Sequence, residues 1–341
     1  MIIYRKANPG DIRPALMLWF KVWDKFIAPN KATKNPNYNE ITQNSGLLKK
    51  YESGERCLLV AKDGDKIVGV IGADANGNNI RPPLCVDSEY HRQGIATELL
   101  HRMVCELKVA GFDCIKVASS EYALPFYKSF GFIQTGEEQQ HDGFVSIPME
   151  YTPNEIWDVL DVDGNKTGRF HERGRKMAAE DYHLVVHVWK HNGRGEWLID
   201  RRAINRGTSI DGKWETTGGA AVAGDDSLTA ALREAKEELG LDLDPKKGTL
   251  FHQVARRADN GWTWIQDAWV FEHDCSLDDV RFQESETCDV MWATADKIRE
   301  MMAAGEFLSE WFYPYFDKMM EKWGRRSESR TRSHGFDFKR C

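Results

Sequence analysis

The chain has 341 residues, more than one hydrophobic core usually holds, so its length predicts two domains of about 150 to 180 residues each. Its 41% hydrophobic and 29% charged residues are typical of a globular protein, and no apolar run approaches the roughly 18 residues of a membrane span. The net charge of −7 opposes binding to nucleic acid phosphates and to anionic membrane surfaces, and therefore favours small-molecule substrates.

The seven cysteines are scattered and never form a C-x-x-C pair, which argues against a disulfide framework and a zinc site and fits a reducing cytoplasm. The first residues lack the apolar core of a secretory signal, so we expect no export. Residues 322–340 carry seven Lys or Arg against two acids and predict a solvated, disordered end, with a phosphate or RNA contact as the alternative. The sequence leaves the oligomeric state open, including a homodimer.

The first half mixes helical and strand patterns in a way that predicts an α/β fold, a mixed sheet with flanking helices. In chain order we expect a helix over 11–27 with Asp11 as its N-cap, strands over 57–62, 66–74 and 84–86, a helix over 95–110, a strand over 114–118, a helix over 124–130 and a strand ending at 151.

The clearest seam in the chain is Thr152-Pro153-Asn154, between two strand-like segments. We therefore predict a first domain over 1–151, a linker over 152–156, a second domain over 157–323 and a tail over 324–341. In the second half the patterns predict strands over 157–161, 184–190, 196–201, 264–271 and 288–292, and helices over 227–239, 295–304 and 307–323.

The helix over 227–239 carries three carboxylates on one face. Glu234, Glu237 and Glu238 are spaced i, i+3 and i+4, which brings their side chains together. Like charges at this spacing destabilise a helix unless a hard divalent cation offsets them. The opposite face is apolar and is expected to pack on a sheet. The spacing predicts a magnesium site, with a solvated acidic surface as the alternative.

The segment from Gly219 to Leu241 resembles the Nudix box, G-x5-E-x7-R-E-U-x-E-E-x-G-U. The residues in register are Gly219, Arg233, Glu234, Ala235, Glu237, Glu238, Gly240 and Leu241. Asp225 stands where the family has its first Glu. In the family that Glu supports the loop and pairs with the Arg, so the shorter Asp225 has to reach Arg233 for the loop to be held.

The resemblance implies an α/β/α sandwich that hydrolyses a nucleoside diphosphate linked to another moiety. It implies that Mg²⁺ or Mn²⁺ is held by Glu234, Glu237, Glu238 and the carbonyl of Gly219, and that one of the helix glutamates or a distal one activates the attacking water. The distal candidate is Glu286, just before the predicted strand over 288–292; an exposed loop acid is the alternative for that residue.

The surrounding sequence resembles the Nudix branch related to type 1 isopentenyl diphosphate isomerase. That isomerase needs a catalytic Cys and metal-binding His residues. Here His183 is the one plausible counterpart of those histidines, Ala220 stands where the isomerase has a His, and no Cys lies between Cys114 and Cys275. We therefore expect hydrolysis, with isomerisation as a lesser alternative.

In the first half, a strand turns into a helix through a loop that contains Gly94. Backbone N–H groups at such a helix start form an anion site that suits a pyrophosphate. The loop resembles the Q/R-x-x-G-x-G/A segment of GNAT acetyltransferases, with His91 in place of the usual Gln or Arg. The resemblance implies that acetyl-coenzyme A (acetyl-CoA) is bound by the following residues: Leu84, Val86, His91, Arg92, Gln93, Gly94, Ile95, Ala96 and Thr97.

A second segment, residues 123–132, matches the A-x-x-F-Y-x-x-x-G-F pattern of the same family. It places Tyr127 where the family has a general acid that reprotonates the coenzyme thiolate; a packed helix aromatic is the alternative. Glu89 and Asp87 are close enough in sequence to be candidate general bases, although loop acids are usually only solvated.

Together the two resemblances imply a bifunctional enzyme that cleaves a nucleoside diphosphate derivative and acetylates an amine. One alternative makes the first half a CoA-binding sensor that regulates a working hydrolase. Another treats both halves as binding modules. A further hypothesis makes CoA itself the substrate of the hydrolase.

Overall fold

A computed structural model describes residues 1–26, 46–141, 144–204 and 207–323 of the chain. The chain forms two compact units. The first contains Met1–Ile156 and Arg169–Lys176, and the second contains Trp157–Gly168 and Met177–Cys341. The sequence predicted a single division near 152–156, whereas here a short downstream segment returns to the first unit. The predicted tail over 324–341 lies outside the described residues.

The returning segment is held in the first unit by the buried carboxylate of Glu172. This carboxylate accepts hydrogen bonds from the Tyr151 hydroxyl at 2.6 Å and from the Asn154 N–H at 2.9 Å, and it forms an ion pair with Arg175 at 2.6 Å. The Arg175 guanidinium also lies 4.1 Å from the centre of the Phe130 ring. A buried charge needs such partners, so residues 169–176 are part of the first unit's structure.

The first unit is built around a mixed sheet. Its elements are β1 Ile2–Lys6, α1 Pro9–Phe26, α2 Gly46–Glu52, β2 Arg56–Asp63, β3 Lys66–Asp74, β4 Asn79–Val86, α3 Ile95–Val109, β5 Ile115–Ser119, α4 Leu124–Phe130, β6 Ile133–Gln134, β7 Gln139–His141 and β8 Phe144–Tyr151. The sheet order is β1-β2-β3-β4-β5-β8-β6, with β7 beside β8. The parallel strands β4 and β5 pair only at Asn79–Lys116 and Ile80–Val117, so they separate beyond Ile80.

Alternating side chains give this sheet two apolar faces. Val60 and Val70 pack with α1 and α2, whereas their neighbours Leu59 and Ile71 pack with α3 and α4. The α1 helix begins before the predicted N-cap, Asp11. Asn8 precedes the helix instead, and the two side chains accept hydrogen bonds from each other's backbone N–H. Asp11 therefore lies in the first helical turn, in the reciprocal arrangement of a capping box.

The second unit is also built around a mixed sheet. The elements that follow β8 are β9 Ile156–Leu160, β10 Lys166–Glu172, β11 His183–His191, β12 Glu196–Arg202, β13 Trp214–Glu215, β14 Gly218–Ala220, α5 Ser227–Leu239, β15 Gly248–Arg257, β16 Thr263–Glu272, β17 Thr287–Thr294, α6 Ala295–Ala303 and α7 Phe316–Trp323. The main sheet runs β13-β12-β11-β16-β15, with β14 beside β11 and β17 beside β12.

The second sheet lies between two helical layers. On β11, Val186 and Val188 pack toward α5, while Trp189 packs toward α6 and α7. On β12 the same alternation places Leu198 and Ile199 on opposite faces. This arrangement is the predicted α/β/α sandwich.

One prediction of secondary structure in this unit was wrong, and several strands were not predicted. The helix expected over 307–323 is helical only over Phe316–Trp323. Upstream, the Trp214 N–H donates to the Glu306 carbonyl and Leu308 donates to the Trp214 carbonyl, so these residues run alongside β13. Pro314 also disfavours helical backbone at the residue before it. The ten-residue strand β15 was not predicted, nor were β10 and the short strands β13 and β14.

Among the described residues, no helix combines the length and the apolar content that a membrane-crossing helix needs.

The half-buried His101 on α3 makes the stability of the first unit depend on pH. Burial and the nearby charge of Arg175 lower the pKa of His101 from 6.5 to about 4. Between these values the unfolded chain binds a proton that the folded unit does not, so stability is full above pH 6.5 and falls as the pH drops toward 4. We expect a loss of about 2 to 3 kcal/mol across this window, and a smaller loss in His101→Gln. Urea denaturation at pH 7, 5.5 and 4.5 measures it, and equal pH slopes in the two proteins would contradict the assignment.

Candidate functional site

Helix α5 presents the three predicted carboxylates at one end of the second unit's sheet. The helix begins after Asp226, whose side chain accepts from the Thr229 N–H at 2.7 Å, and ends at Gly240, which has a φ of 70°. A left-handed residue at this position is the usual glycine helix stop. Along the helix Glu234 is buried, Glu238 is half-buried and Glu237 is exposed.

Arg233 connects the loop before α5 to the helix carboxylates. Its Nε lies 3.0 Å from Asp225, and its Nη1 lies 2.9 Å from Glu234 and 2.8 Å from Glu237. Its Nη2 donates to the Ala220 carbonyl at 3.0 Å. The shorter Asp225 therefore reaches Arg233, so the departure from the Nudix box pattern leaves the loop tied to the helix.

Gly219 on β14 lies directly against the carboxylate of Glu234 on α5. A Cβ placed on this residue would lie 2.5 Å from the carboxylate carbon of Glu234. Real Cβ atoms do not approach other heavy atoms so closely, so only glycine leaves room for a buried Glu234 at this site.

We expect Gly219→Ala to displace the Glu234 carboxylate, because the added methyl group occupies the same space. The predicted result is a destabilisation of about 1 to 3 kcal/mol together with a strong loss of any hydrolytic activity of this unit. Thermal unfolding and phosphate release measure the two effects. Gly193→Ala is the control, since a Cβ added to Gly193 meets no atom within 4 Å and, as at Gly219, the backbone does not adopt a positive φ. Full activity in Gly219→Ala would contradict the role of this contact.

Glu238 lies in the most crowded part of the acidic face. It accepts from the Gly218 N–H at 3.3 Å. Burial, followed by the charges of Asp200, Glu215 and Glu234, raises the pKa of Glu238 well above its ordinary value. Carboxylates whose ionised forms are this unfavourable would be stabilised by a bound cation.

Sequence reasoning missed the strand residues that complete this acidic face. Asp200 on β12 faces Glu215 on β13 in the sheet register, and Arg202 pairs with Glu215 at 2.6 Å. The fully buried Lys190 donates to Thr217 at 2.5 Å, and the Thr217 hydroxyl donates to Asp200 at 2.8 Å. The one available sequence signal was the charged triplet 200–202 at the end of an apolar strand.

The structure places Glu286 in the turn before β17, close to the same charges. Its carbonyl accepts from the Ala203 N–H at 2.8 Å. Burial lowers the pKa of Arg202, but the carboxylates of Glu215, Glu238 and Glu286 outweigh this effect and raise it. Glu286, the predicted distal glutamate, and Glu238 therefore both lie close enough to Arg202 to raise its pKa.

The carboxylates fit a divalent cation by their chemistry but do not form a finished ligand cage. Among the described residues no three His, Cys, Asp or Glu side chains converge closely enough to hold a metal as they stand. One oxygen of Glu237 is paired with Arg233. Hard oxygen donors and the raised pKa of Glu238 suit Mg²⁺ or Mn²⁺, and binding would require Glu237 to turn away from Arg233.

In the first unit a cleft of about 480 Å³ opens where β4 and β5 separate. It extends from the start of α3 to one face of α1. The predicted residues that line it are Leu84, Val86, His91, Arg92, Gly94, Ile95, Ala96, Thr97 and Tyr127. Gln93 was predicted with them but does not line the cleft. A cavity of this size and position is suited to the arm of a coenzyme.

Two left-handed residues shape the loop at the start of α3. Gly94 has a φ of 79° and immediately precedes the helix, and Arg92 has a φ of 62°, which is uncommon for a residue with a side chain. The His91 Nε2 lies 2.9 Å from the Val86 carbonyl oxygen. His91 therefore holds the loop against β4, and the Val86 carbonyl is already engaged.

Tyr127 is buried at the edge of the cleft. Burial raises the pKa of its phenol, so the hydroxyl keeps its proton at neutral pH. None of the described residues forms a hydrogen bond with this hydroxyl. No hydrogen bond to a described residue therefore accounts for a hydroxyl group at this position.

The two candidate general bases of the first unit form ion pairs with lysines. Asp87 lies 3.4 Å from Lys21 and 3.3 Å from Lys66, and Glu89 lies 3.0 Å from Lys66. Burial alone would raise the pKa of Asp87, but the Glu89 N–H and the lysines outweigh it and lower the pKa. Neither acid lines the cleft, so neither is placed to take a proton from a substrate there.

Known proteins match each unit separately. Residues 181–312 match the NUDIX domain, and the Uncharacterized Nudix hydrolase lin0387 of Listeria innocua is 34% identical over 163 residues, covering 48% of this chain and 90% of that protein. The chain belongs to the Nudix hydrolase family. Residues 28–153 match the acetyltransferase (GNAT) domain, and N-acetyltransferase 8 of Homo sapiens is 30% identical over 135 residues, covering 36% of this chain and 58% of that protein. The predicted fusion of a GNAT domain with a Nudix domain is confirmed.

The Nudix domain is also similar to an isopentenyl-diphosphate Delta-isomerase. The protein of Shigella dysenteriae is 25% identical over 156 residues, covering 45% of this chain and 85% of that protein. In the present Nudix domain His183 is buried, stacks on Trp157 with 4.2 Å between ring centres, and places its Nδ1 3.1 Å from the Thr263 carbonyl. A histidine packed in this way is poorly placed to serve as a metal ligand.

Proposed function

We propose that this protein is a bifunctional enzyme. Its Nudix domain would hydrolyse a nucleoside diphosphate linked to another moiety, with Mg²⁺ or Mn²⁺, and its GNAT domain would transfer acetyl from acetyl-CoA to an amine. The hydrolase half rests on the crowding of Glu238 by Asp200, Glu215 and Glu234, an arrangement that costs stability unless a cation is bound.

In the hydrolase, Glu234, Glu237, Glu238 and the Gly219 carbonyl would hold the divalent cation. When bound, the cation would neutralise charge on the diphosphate and lower the pKa of the attacking water. Arg233 keeps Asp225 and Glu234 in register with the loop. Glu238 or Glu286 would accept the proton from the water as its oxygen attacks phosphorus and the bridging P–O bond breaks.

In the acetyltransferase, the amine nitrogen would attack the thioester carbonyl, so that a C–N bond forms and the C–S bond breaks. The amine proton would pass to solvent, because Asp87 and Glu89 are held by lysines away from the cleft. Tyr127 would donate its proton to the departing thiolate. Its raised pKa supports this role, since only a protonated phenol can donate.

A second candidate function for the GNAT domain is binding without catalysis. The lysine pairs of Asp87 and Glu89 favour it, since the loop offers no free carboxylate as a base. In that case the domain would bind CoA and regulate the hydrolase. CoA bound tightly without acetyl transfer to any amine would support this alternative.

One experiment tests both halves on the same protein. Nucleoside triphosphates, dinucleotides, sugar nucleotides, ADP-ribose and CoA are incubated with Mg²⁺ or Mn²⁺, and the phosphate products are identified by mass spectrometry. A double variant, Glu237→Gln with Glu238→Gln, should lose hydrolysis and keep acetyl transfer to an amine panel. Glu310→Gln, an exposed acid of the same unit, is the control. No hydrolysis of any compound would contradict the hydrolase half, and cleavage of CoA alone would make CoA the substrate.

A further inference from the structure

A smaller recess of about 390 Å³ adjoins the cleft of the GNAT domain. Trp19, Arg81 and Pro82 border both cavities, and Lys50 and Arg56 line the recess as well. Three cationic side chains thus border a small space next to the cleft; Lys50 is paired with Glu55 at 3.1 Å, and the two arginines lie beside Asp74. No family motif in the sequence pointed to this recess.

The two arginines of the recess share one carboxylate. The Arg81 Nε donates to Asp74 at 2.8 Å, and no described residue accepts a hydrogen bond from its two terminal nitrogens. The Arg56 Nε lies 3.8 Å from the other Asp74 oxygen, which is too long for a hydrogen bond, and no described residue accepts a hydrogen bond from it. The Arg56 Nε is itself buried, so the terminal nitrogens of Arg81 are the donors that the recess offers to an anion.

The wall of the cleft next to this recess is aromatic. Trp19 and Trp23 on α1 meet edge to face with 5.9 Å between ring centres. Further along α1, beside His91, Phe26 stacks on Tyr122 with 6.0 Å between ring centres. All five residues line the cleft. A ligand that fills both cavities therefore meets an apolar surface and two guanidinium groups.

We propose that the acetyl acceptor is an amino acid with a large apolar side chain. Its α-carboxylate would bind the forked terminal nitrogens of Arg81, assisted by Arg56, and its side chain would pack on Trp19 and Trp23. A guanidinium can bind both oxygens of a planar carboxylate. In the unaltered protein, the Asp74 carboxylate lies beside the Nε atoms of Arg81 and Arg56, so the terminal nitrogens of Arg81 are left for the ligand. Because Arg81 and Pro82 border both cavities, a carboxylate held there brings the adjacent α-amine to the cleft. This inference rests on the proposed acetyltransferase activity.

The test compares matched pairs of acceptors on the full-length protein with acetyl-CoA. L-phenylalanine and L-tryptophan are compared with phenethylamine and tryptamine, which lack only the carboxylate, and release of the CoA thiol gives kcat/KM. We expect a preference of at least about tenfold for the amino acids. Arg81→Met should remove this preference by raising the KM for the amino acid, without changing the KM for acetyl-CoA, and Arg81→Lys should restore part of it.

Arg102→Met, on helix α3 and outside both cavities, is the control and should keep the preference. Equal kcat/KM for phenylalanine and phenethylamine in the unaltered protein overturns the inference and leaves the acetyltransferase intact. A preference for an amine that carries a phosphate, such as phosphoethanolamine, also overturns it. No transfer to any acceptor overturns both the inference and the acetyltransferase half of the proposed function.

Discussion

Glu238→Gln is expected to lower hydrolysis by the Nudix domain by at least about 10³-fold. Glutamine keeps the shape of the side chain and its contact with the Gly218 N–H, but it removes one anionic oxygen donor from the face shared with Glu234. Loss of a charged ligand weakens cation binding and, with it, the stabilisation of charge in the transition state. Steady-state phosphate release over a range of Mg²⁺ concentrations measures the effect.

The same variant is expected to unfold at a higher temperature than the unaltered protein when no metal is present. Because the pKa of Glu238 is raised in the folded state, ionisation of this residue destabilises the fold as the pH rises from its ordinary value of 4.5. Glutamine cannot ionise, so the difference between the two proteins should be absent below about pH 4.5 and grow above it. Thermal unfolding at several pH values measures it.

Mg²⁺ should then raise the unfolding temperature of the unaltered protein much more than that of Glu238→Gln, because only the former has the full set of carboxylates. Glu310→Gln controls for the loss of one negative charge elsewhere in the unit. Equal Mg²⁺ effects in all three proteins, or unchanged hydrolysis in Glu238→Gln, would remove Glu238 from the metal site.

Tyr127→Phe is expected to lower kcat for acetyl transfer by about 10²-fold, within the range for a lost general acid. The phenol is buried at the cleft, burial raises its pKa, and its hydroxyl bonds to none of the described residues. Removal of the hydroxyl therefore breaks no hydrogen bond among them, and the stability of the domain should change little. The KM for acetyl-CoA should stay the same, since the aromatic ring remains in place.

Tyr122→Phe is the matched control, because Tyr122 lines the same cleft but is 60% exposed. It should keep the kcat of the unaltered protein. Thiol release with acetyl-CoA and a saturating amine gives kcat for each variant, and the pH profile of Tyr127→Phe should lose dependence on an acidic group. Equal kcat values for the two variants would show that Tyr127 is a packing residue and that solvent, not Tyr127, protonates the departing thiolate.

The local features of both sites could be predicted from the sequence because they depend on neighbours a few residues away. The bounds of α5 follow from its polar N-cap, its apolar face and the glycine stop, and they agree with the prediction. The shared face of Glu234, Glu237 and Glu238 follows from helical periodicity alone. The left-handed Gly94 before α3 follows in the same way from glycine at a strand-to-helix turn.

The other features of the two sites depend on the register of the strands and on the return of residues 169–176 to the first unit. No short sequence pattern encodes either of these. Pairing of β12 with β13 sets Asp200 opposite Glu215, and this pairing crowds Glu238. In the GNAT domain, the antiparallel pairing of three successive strands, β2, β3 and β4, gathers Arg56, Asp74 and Arg81. The return of residues 169–176 to the first unit depends on burial of one carboxylate, Glu172, which in the sequence resembles any loop acid.

The sequence by itself therefore determined the two families, the order of most elements, the carboxylate helix and the glycine turn before α3. These depend on caps, periodicity and glycine positions, which act within one or two turns of chain. The tertiary structure alone decided which charges surround Glu238, which lysines pair with Asp87, and which arginines line the recess beside the cleft of the GNAT domain. Such contacts depend on sheet register and side-chain burial, which bring together residues that are far apart in the chain.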